Sequence, residues 1–170
     1  MGHDIYLADN LVSFCRYCAS ELPTVYVYGG LGETVTPELL LKKAKQYPDF
    51  YTPERLSLIR AHTGQDTRGF DCSGLIKRWL MGGLDHYRYE PSLDWNADTM
   101  YQNASVSGSL DTLPERPGTL LHAKKHVGVY IGQGRVIEST TAFREAGGVQ
   151  NTHISAQKWD AWFRHPLISY

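Results

Sequence analysis

The sequence predicts one α+β domain, on three observations. Residues 9–81 carry helical periodicity and helix-start signals, while residues 119–154 carry short β-prone runs separated by glycine turns. Helices first and strands afterwards segregate the two kinds of element, as in an α+β fold and unlike the alternation of a parallel sheet. The 170 residues contain no internal repeat, low-complexity tract or linker-like stretch, and their number suits one domain better than two.

Each element has its own signal. Leu11, Phe14, Cys15 and Cys18 fall at i, i+3, i+4 and i+7, which predicts a helix over 9–20 with one apolar stripe. Thr24–Tyr28 is a short β-prone run stopped by Gly29-Gly30. Thr36-Pro37-Glu38 and Thr52-Pro53-Glu54 each supply an N-cap oxygen, a proline at the first helical position and an acid in the first turn. The helices they start run to about Gln46 and Gly64, the second with Leu56 and Ile59 inward. Gly69-Phe70-Asp71 reads as a loop feeding a helix from Cys72 to about Met81, buried through Leu75, Ile76, Trp79 and Leu80. Residues 84–118 are polar and weakly periodic, with a helix at 96–103 as their one candidate element. Beyond Pro117-Gly118, strands are expected at 119–122, 126–131, 135–140 and 148–154, the second and third joined through Gly132-Gln133-Gly134. A short helix carrying Trp159 and Trp162 is expected at 155–163.

Charge and cysteine usage exclude several classes. Seventeen basic against eighteen acidic side chains give a net charge of -1, which offers no footprint for nucleic acid or an anionic membrane. No apolar run reaches membrane-span length. Met1–Asn10 carries no lysine or arginine and leads into no apolar core segment, so no secretory signal is expected, and Tyr6 stands where N-myristoylation requires Ser or Thr. Cys15, Cys18 and Cys72 are too few for a disulfide framework and suit a reducing compartment. Cys15-x-x-Cys18 has no second ligand pair and lies on the apolar stripe, so core packing is expected, without metal or organic cofactor. His122, His153 and His165 lack ligand spacing and read as structural.

Cys72 is the residue that asks for chemistry. It opens a helix, where unpaired N–H groups and the helix dipole favour a thiolate. A small buried hydrophobe is the alternative for a free cysteine, but Cys72 lies off the apolar stripe, between Asp71 and Ser73. A thiolate nucleophile needs a base, and His126 at the start of a strand is the best placed of the seven histidines. Glu138, on the next strand of the hairpin, is a candidate to orient that base unless it merely faces solvent.

Phe70-Asp71-Cys72-Ser73-Gly74-Leu75 followed by His126-Val127-Gly128-Val129-Tyr130-Ile131-Gly132 closely resembles the NlpC family of bacterial cell-wall cysteine peptidases. Tyr26-Val27-Tyr28-Gly29-Gly30 and Pro117-Gly118-Thr119-Leu120-Leu121 are similar to its glycine-ended strand and the strand before the histidine. The resemblance implies a papain-like single domain over 1–170, with the nucleophile at a helix N-terminus packed on an antiparallel sheet. It implies that Cys72 attacks the scissile carbonyl, that His126 activates it and protonates the leaving amine, and that Glu138 supports the imidazolium. It assigns Tyr26, Asp71 and Ser73 to the substrate end of the cleft and the Cys72 N–H to an oxyanion hole. Many members have His at the third position, where this chain has Glu, and Tyr26 and Cys72 are 46 positions apart because two capped helices, an insertion at about 31–68, intervene.

The substrate so implied is the peptidoglycan stem peptide, cut between D-Glu and the diamino acid, with no cofactor. The alternatives are an N-acetylmuramoyl-L-alanine amidase or other amide hydrolase on the same triad, and a non-catalytic wall-binding or phage-structural module. The site of action then lies at the cell wall, as for a phage lysin or injected effector, or in the cytoplasm, as for a recycling enzyme.

Overall fold

In the computed structural model, which describes residues 6–170, the predicted stripe of Leu11, Cys15 and Cys18 is wholly buried along one helix. The Met1–Gly2 terminus weighed for acylation lies outside the described residues. In chain order, β1 (Tyr6–Leu7) leads into α1 (Ala8–Ser20), followed by β2 (Thr24–Tyr26) and β3 (Leu31–Thr34). Next come α2 (Pro37–Gln46), α3 (Pro53–Ala61), β4 (Arg68–Phe70), α4 (Cys72–Leu80) and α5 (Ala97–Gln102). The remainder is β5 (Val106–Ser109), β6 (Leu120–Ala123), β7 (His126–Gly132), β8 (Arg135–Thr140), β9 (Gly148–His153), β10 (Ala161–Arg164) and β11 (Ile168–Ser169).

The capping chemistry is as expected. Thr36 Oγ1 accepts from the Leu39 N–H at 3.1 Å and Thr52 Oγ1 from Arg55 at 3.2 Å, each satisfying an orphan donor of the first turn. Two expectations need correction. Gly69-Phe70 is not loop: β4 pairs parallel with β2 and antiparallel with β3, so the helix that Cys72 opens leaves directly from a small three-stranded sheet. Residues 155–163 are not a helix beyond a 3-10 turn at Ile154–Ala156. Ala161 and Phe163 are buried while Trp162 and Arg164 are half-exposed, a period of two, and β10 lies between β5 and β6 in the main sheet. β5 itself, a short edge strand in the unread 84–118 stretch, has too little apolar content to announce itself.

The main sheet has six strands in the order β5-β10-β6-β7-β8-β9, all antiparallel. One face carries Val127, Val129, Ile137 and Val149 against α1 and α4, whose Leu11, Cys15, Leu75 and Ile76 complete the principal core. The other face carries Leu121, Tyr130, Val136 and Trp159. A separate cluster of Val25, Val35, Leu40, Tyr51 and Ile59 seats α2 and α3. Among the described residues no helix is long and apolar enough to cross a membrane.

His165 is 2% exposed, and its Nδ1 accepts from the Leu167 N–H at 3.2 Å, so the ring is held neutral. Burial lowers its pKa from 6.5 to about 4. The unfolded chain therefore binds a proton that the folded chain refuses. Stability present above pH 6.5 should be lost as pH falls toward 4, by roughly 3 kcal/mol. Urea midpoints of His165→Gln and the parent should converge at pH 4.5 if this buried imidazole causes the acid sensitivity. A parallel pH dependence in both would refute it.

Candidate active site

The junction of β4 and α4 is built around Asp71. Its carboxylate accepts the Gly74 N–H at 2.6 Å as the N-cap of α4 and the Gly29 N–H at 3.0 Å, tying the helix start to the turn after β2. A side chain at Gly74 would place its Cβ 1.9 Å from the Gly30 carbonyl oxygen, so only glycine lets the helix sit this close to that turn. Ser73 is buried beside Asp71. Tyr26, Tyr28, Asp71, Cys72, Ser73, Asn96, Asp98 and Lys125 line one cleft of about 250 Å³. The structure therefore brings the predicted Tyr26, Asp71 and Ser73 together with Cys72.

Cys72 meets the far wall of that cleft at the start of β7. The pairing of β7 with β8 begins at Val129 opposite Ile137, which leaves the His126 end of that strand edge uncovered. Cys72 Sγ approaches it there, with its thiol donating to the Lys125 carbonyl at 3.7 Å. The turn holding that carbonyl is braced by Asp98, whose Oδ1 accepts from the Lys125 N–H at 2.9 Å and pairs with His122 Nε2 at 2.8 Å. Tyr101 stacks on the other side of His122 at 4.3 Å.

His126 and Glu138 share one face. The register puts Glu138 across from Gly128, one diagonal step from His126. His126 Nε2 lies 2.6 Å from Glu138 Oε2. A carboxylate only accepts, so Nε2 carries the proton and Nδ1 is left as the free ring nitrogen. Glu138 is completely buried, and its other contacts are donors as well: Thr152 Oγ1 at 2.7 Å and Gln157 Nε2 at 3.2 Å. It does not face solvent. Trp159 lies flat against the imidazole, with centroids 5.2 Å apart and planes at 15°. Gly128 makes room for it, because a Cβ there would come within 2.8 Å of the indole.

One electrostatic expectation is reversed. Burial, and then the adjacent Asp71 carboxylate, push the Cys72 thiol up to about 12, and the facing N–H groups of Val127 and Ser73 offset only part of this. The helix N-terminus alone does not make the thiolate, because its own capping anion acts on the thiol more strongly than the Lys77 cation does. Asp71→Asn keeps a cap acceptor and removes the like charge. Iodoacetamide should therefore alkylate Cys72 faster in Asp71→Asn than in the parent at pH 8, and an unchanged rate would contradict the assigned cause. Cys15 and Cys18, both wholly buried, should stay unlabelled in the folded protein.

Sequence reasoning missed Trp159 as a partner of His126, and missed Asp98, Thr152 and Gln157. Their signals are tertiary. No spacing rule connects Asp98 to a turn 27 residues later.

The profile of the NlpC/P60 family matches residues 61–167. Among solved structures, the P60 domain of an antigen from M. avium subspecies paratuberculosis is 18% identical, with 96% of this chain and 98% of that one covered and a TM-score of 0.51. That likeness shows the same fold. NlpC2 from Trichomonas vaginalis is 16% identical over 97% of this chain, TM-score 0.49, and NlpC1 from the same organism 17% over 93%, TM-score 0.49. The chain spans 48% and 43% of those two proteins, about half their length. No curated protein matches. With the family profile covering well over half of its residues and the cysteine and histidine segments both inside that match, the chain belongs to the NlpC/P60 family.

Proposed function

We propose that this protein is a cysteine peptidase that hydrolyses peptidoglycan stem peptides between D-Glu and the diamino acid, through Cys72, His126 and Glu138. Residues 31–68 are read as an insertion into a single domain spanning 1–170. The observation that carries the proposal is the His126–Glu138 contact of 2.6 Å, which fixes the tautomer and leaves Nδ1 available at the strand end that Cys72 abuts. Family membership and the resemblance of the motifs supply the substrate class.

The chemistry follows from the groups. Burial and the Asp71 carboxylate favour the protonated thiol, and in this proposal Nδ1 takes its proton as sulfur attacks the amide carbonyl. The imidazolium then has Glu138 as its counter-charge, and no reorganisation is needed to supply it. The Cys72 backbone N–H has no hydrogen-bond partner among the described residues and is the oxyanion donor of this proposal. Collapse of the tetrahedral intermediate returns the proton to the leaving amine and leaves an acyl-thioester. Water deprotonated by the same imidazole hydrolyses that thioester.

Muropeptides digested with the pure protein and read by mass spectrometry test this. New diamino-acid amino termini paired with D-Glu carboxyl ends are expected. Cleavage at the lactyl–L-Ala bond would assign an amidase in its place, and no cleavage of any wall substrate would refute both.

A further inference from the structure

A larger cavity of about 570 Å³ adjoins the Cys72 cleft and shares Tyr28, Asp71, Ser73 and Asn96 with it. Its outer wall is α2, part of the insertion. Three carboxylates line this space, and each is already engaged. Asp71 takes the two amides described above. Asp94 accepts from Lys77 Nζ at 2.6 Å and from the Tyr89 hydroxyl at 2.8 Å. Glu33 turns back onto the Leu31 N–H at 2.6 Å.

Lys43 makes no direct ion pair among the described residues, although its charge reaches Asp94 across the cavity. It lines the same cavity from α2 and is only 9% exposed. Its ammonium donates to the Gly29 carbonyl at 2.7 Å, and among the described residues no carboxylate lies within ion-pair distance of it. Its place in the last turn of α2 suits a cation, and its ammonium has three protons to place, of which the Gly29 carbonyl takes one. Gly29 is also the residue whose N–H binds Asp71, immediately before Cys72. The ammonium thus stands one residue away from the carboxylate that precedes the sulfur.

We propose that Lys43 receives a free carboxylate of the bound stem peptide, so that the insertion selects non-amidated peptides over amidated ones. The inference rests on the stem-peptide reading above and adds to it a discrimination and the residue that makes it. Such a peptide carries two candidate carboxylates near the scissile bond, that of the γ-linked D-Glu and that of the diamino-acid side chain. Amidating either one removes its charge and keeps its shape.

The test uses four synthetic peptides, with neither, either or both carboxylates amidated, and compares the parent protein with Lys43→Gln and Lys43→Arg. Gln keeps a donor on a side chain one bond shorter and loses the charge, and Arg keeps the charge. A preference of about tenfold in kcat/KM for the free carboxylate at one position is expected in the parent. It should be retained in Lys43→Arg and fall to about twofold or less in Lys43→Gln. A structural role alone would lower turnover of all four peptides together and leave the ratio intact, and that outcome overturns the inference. Calorimetric titration of the same peptides into Cys72→Ala protein with and without Lys43→Gln separates this inference from the proposed activity. Carboxylate-dependent binding that needs Lys43 supports it even if no peptide is cut, and binding insensitive to amidation, or none, refutes it.

Discussion

Cys72→Ala is expected to abolish stem-peptide hydrolysis while leaving the circular dichroism spectrum and the unfolding midpoint nearly unchanged. No other thiol can take its place: Cys15 and Cys18, on α1, are wholly buried in the principal core. The stability cost should be small, on the order of 1 kcal/mol, because the substitution removes a single sulfur atom whose one side-chain donation, to the Lys125 carbonyl, is long at 3.7 Å. Loss of nucleophile and loss of fold are therefore separable in a single variant. Initial rates on purified wall fragments, with calorimetry on the same preparation, check this. Turnover by the alanine variant at the parent's rate would end the cysteine-peptidase reading.

The second large effect belongs to Glu138, where substitution to Gln and to Ala should separate two consequences of one buried charge. Gln keeps the volume and can still accept from His126 Nε2, but the imidazolium formed during attack then has no counter-charge. A fall in kcat of roughly one to three orders of magnitude is expected, with KM little changed, since Glu138 is completely buried and reaches substrate only through His126. Ala additionally leaves a cavity and strips an acceptor from His126, Thr152 and Gln157 together, so it should also unfold earlier, by about 2–5 kcal/mol. Full activity in Glu138→Gln would remove this residue from the mechanism. The other polar groups near the hairpin are not substitutes: Asn151 is exposed and held by Arg135, and His153 is exposed and bonded to Ser155.

What was legible in the chain was local. The caps at Thr36 and Thr52, the α1 stripe and the β7–β8 hairpin depend on spacings of a few residues, and all of them are present in the fold. Glu138 was reachable because a hairpin turn converts sequence distance into a face. Trp159 was not, because its spacing of three from Trp162 imitates a helix, whereas sheet pairing on both sides of β10 makes alternation decide. The electrostatics of Cys72 were misjudged for a related reason: the dipole of α4 is visible in sequence, but the depth at which Asp71 and the thiol are buried together is a property of the packed cleft.

The stack of Trp159 on His126 has an optical consequence. An imidazolium held parallel to an indole is an efficient acceptor for its excited-state electron, whereas a neutral imidazole is a poor one. Each transfer of the Cys72 proton to His126 should accordingly dim one tryptophan of the four in the chain, and its return should restore the emission. Trp79, Trp95 and Trp162 set a constant background that a Trp159→Phe protein measures directly. In the proposed mechanism the ring that moves the proton thus carries its own reporter, and stopped-flow fluorescence of unlabelled protein would time acylation and deacylation separately.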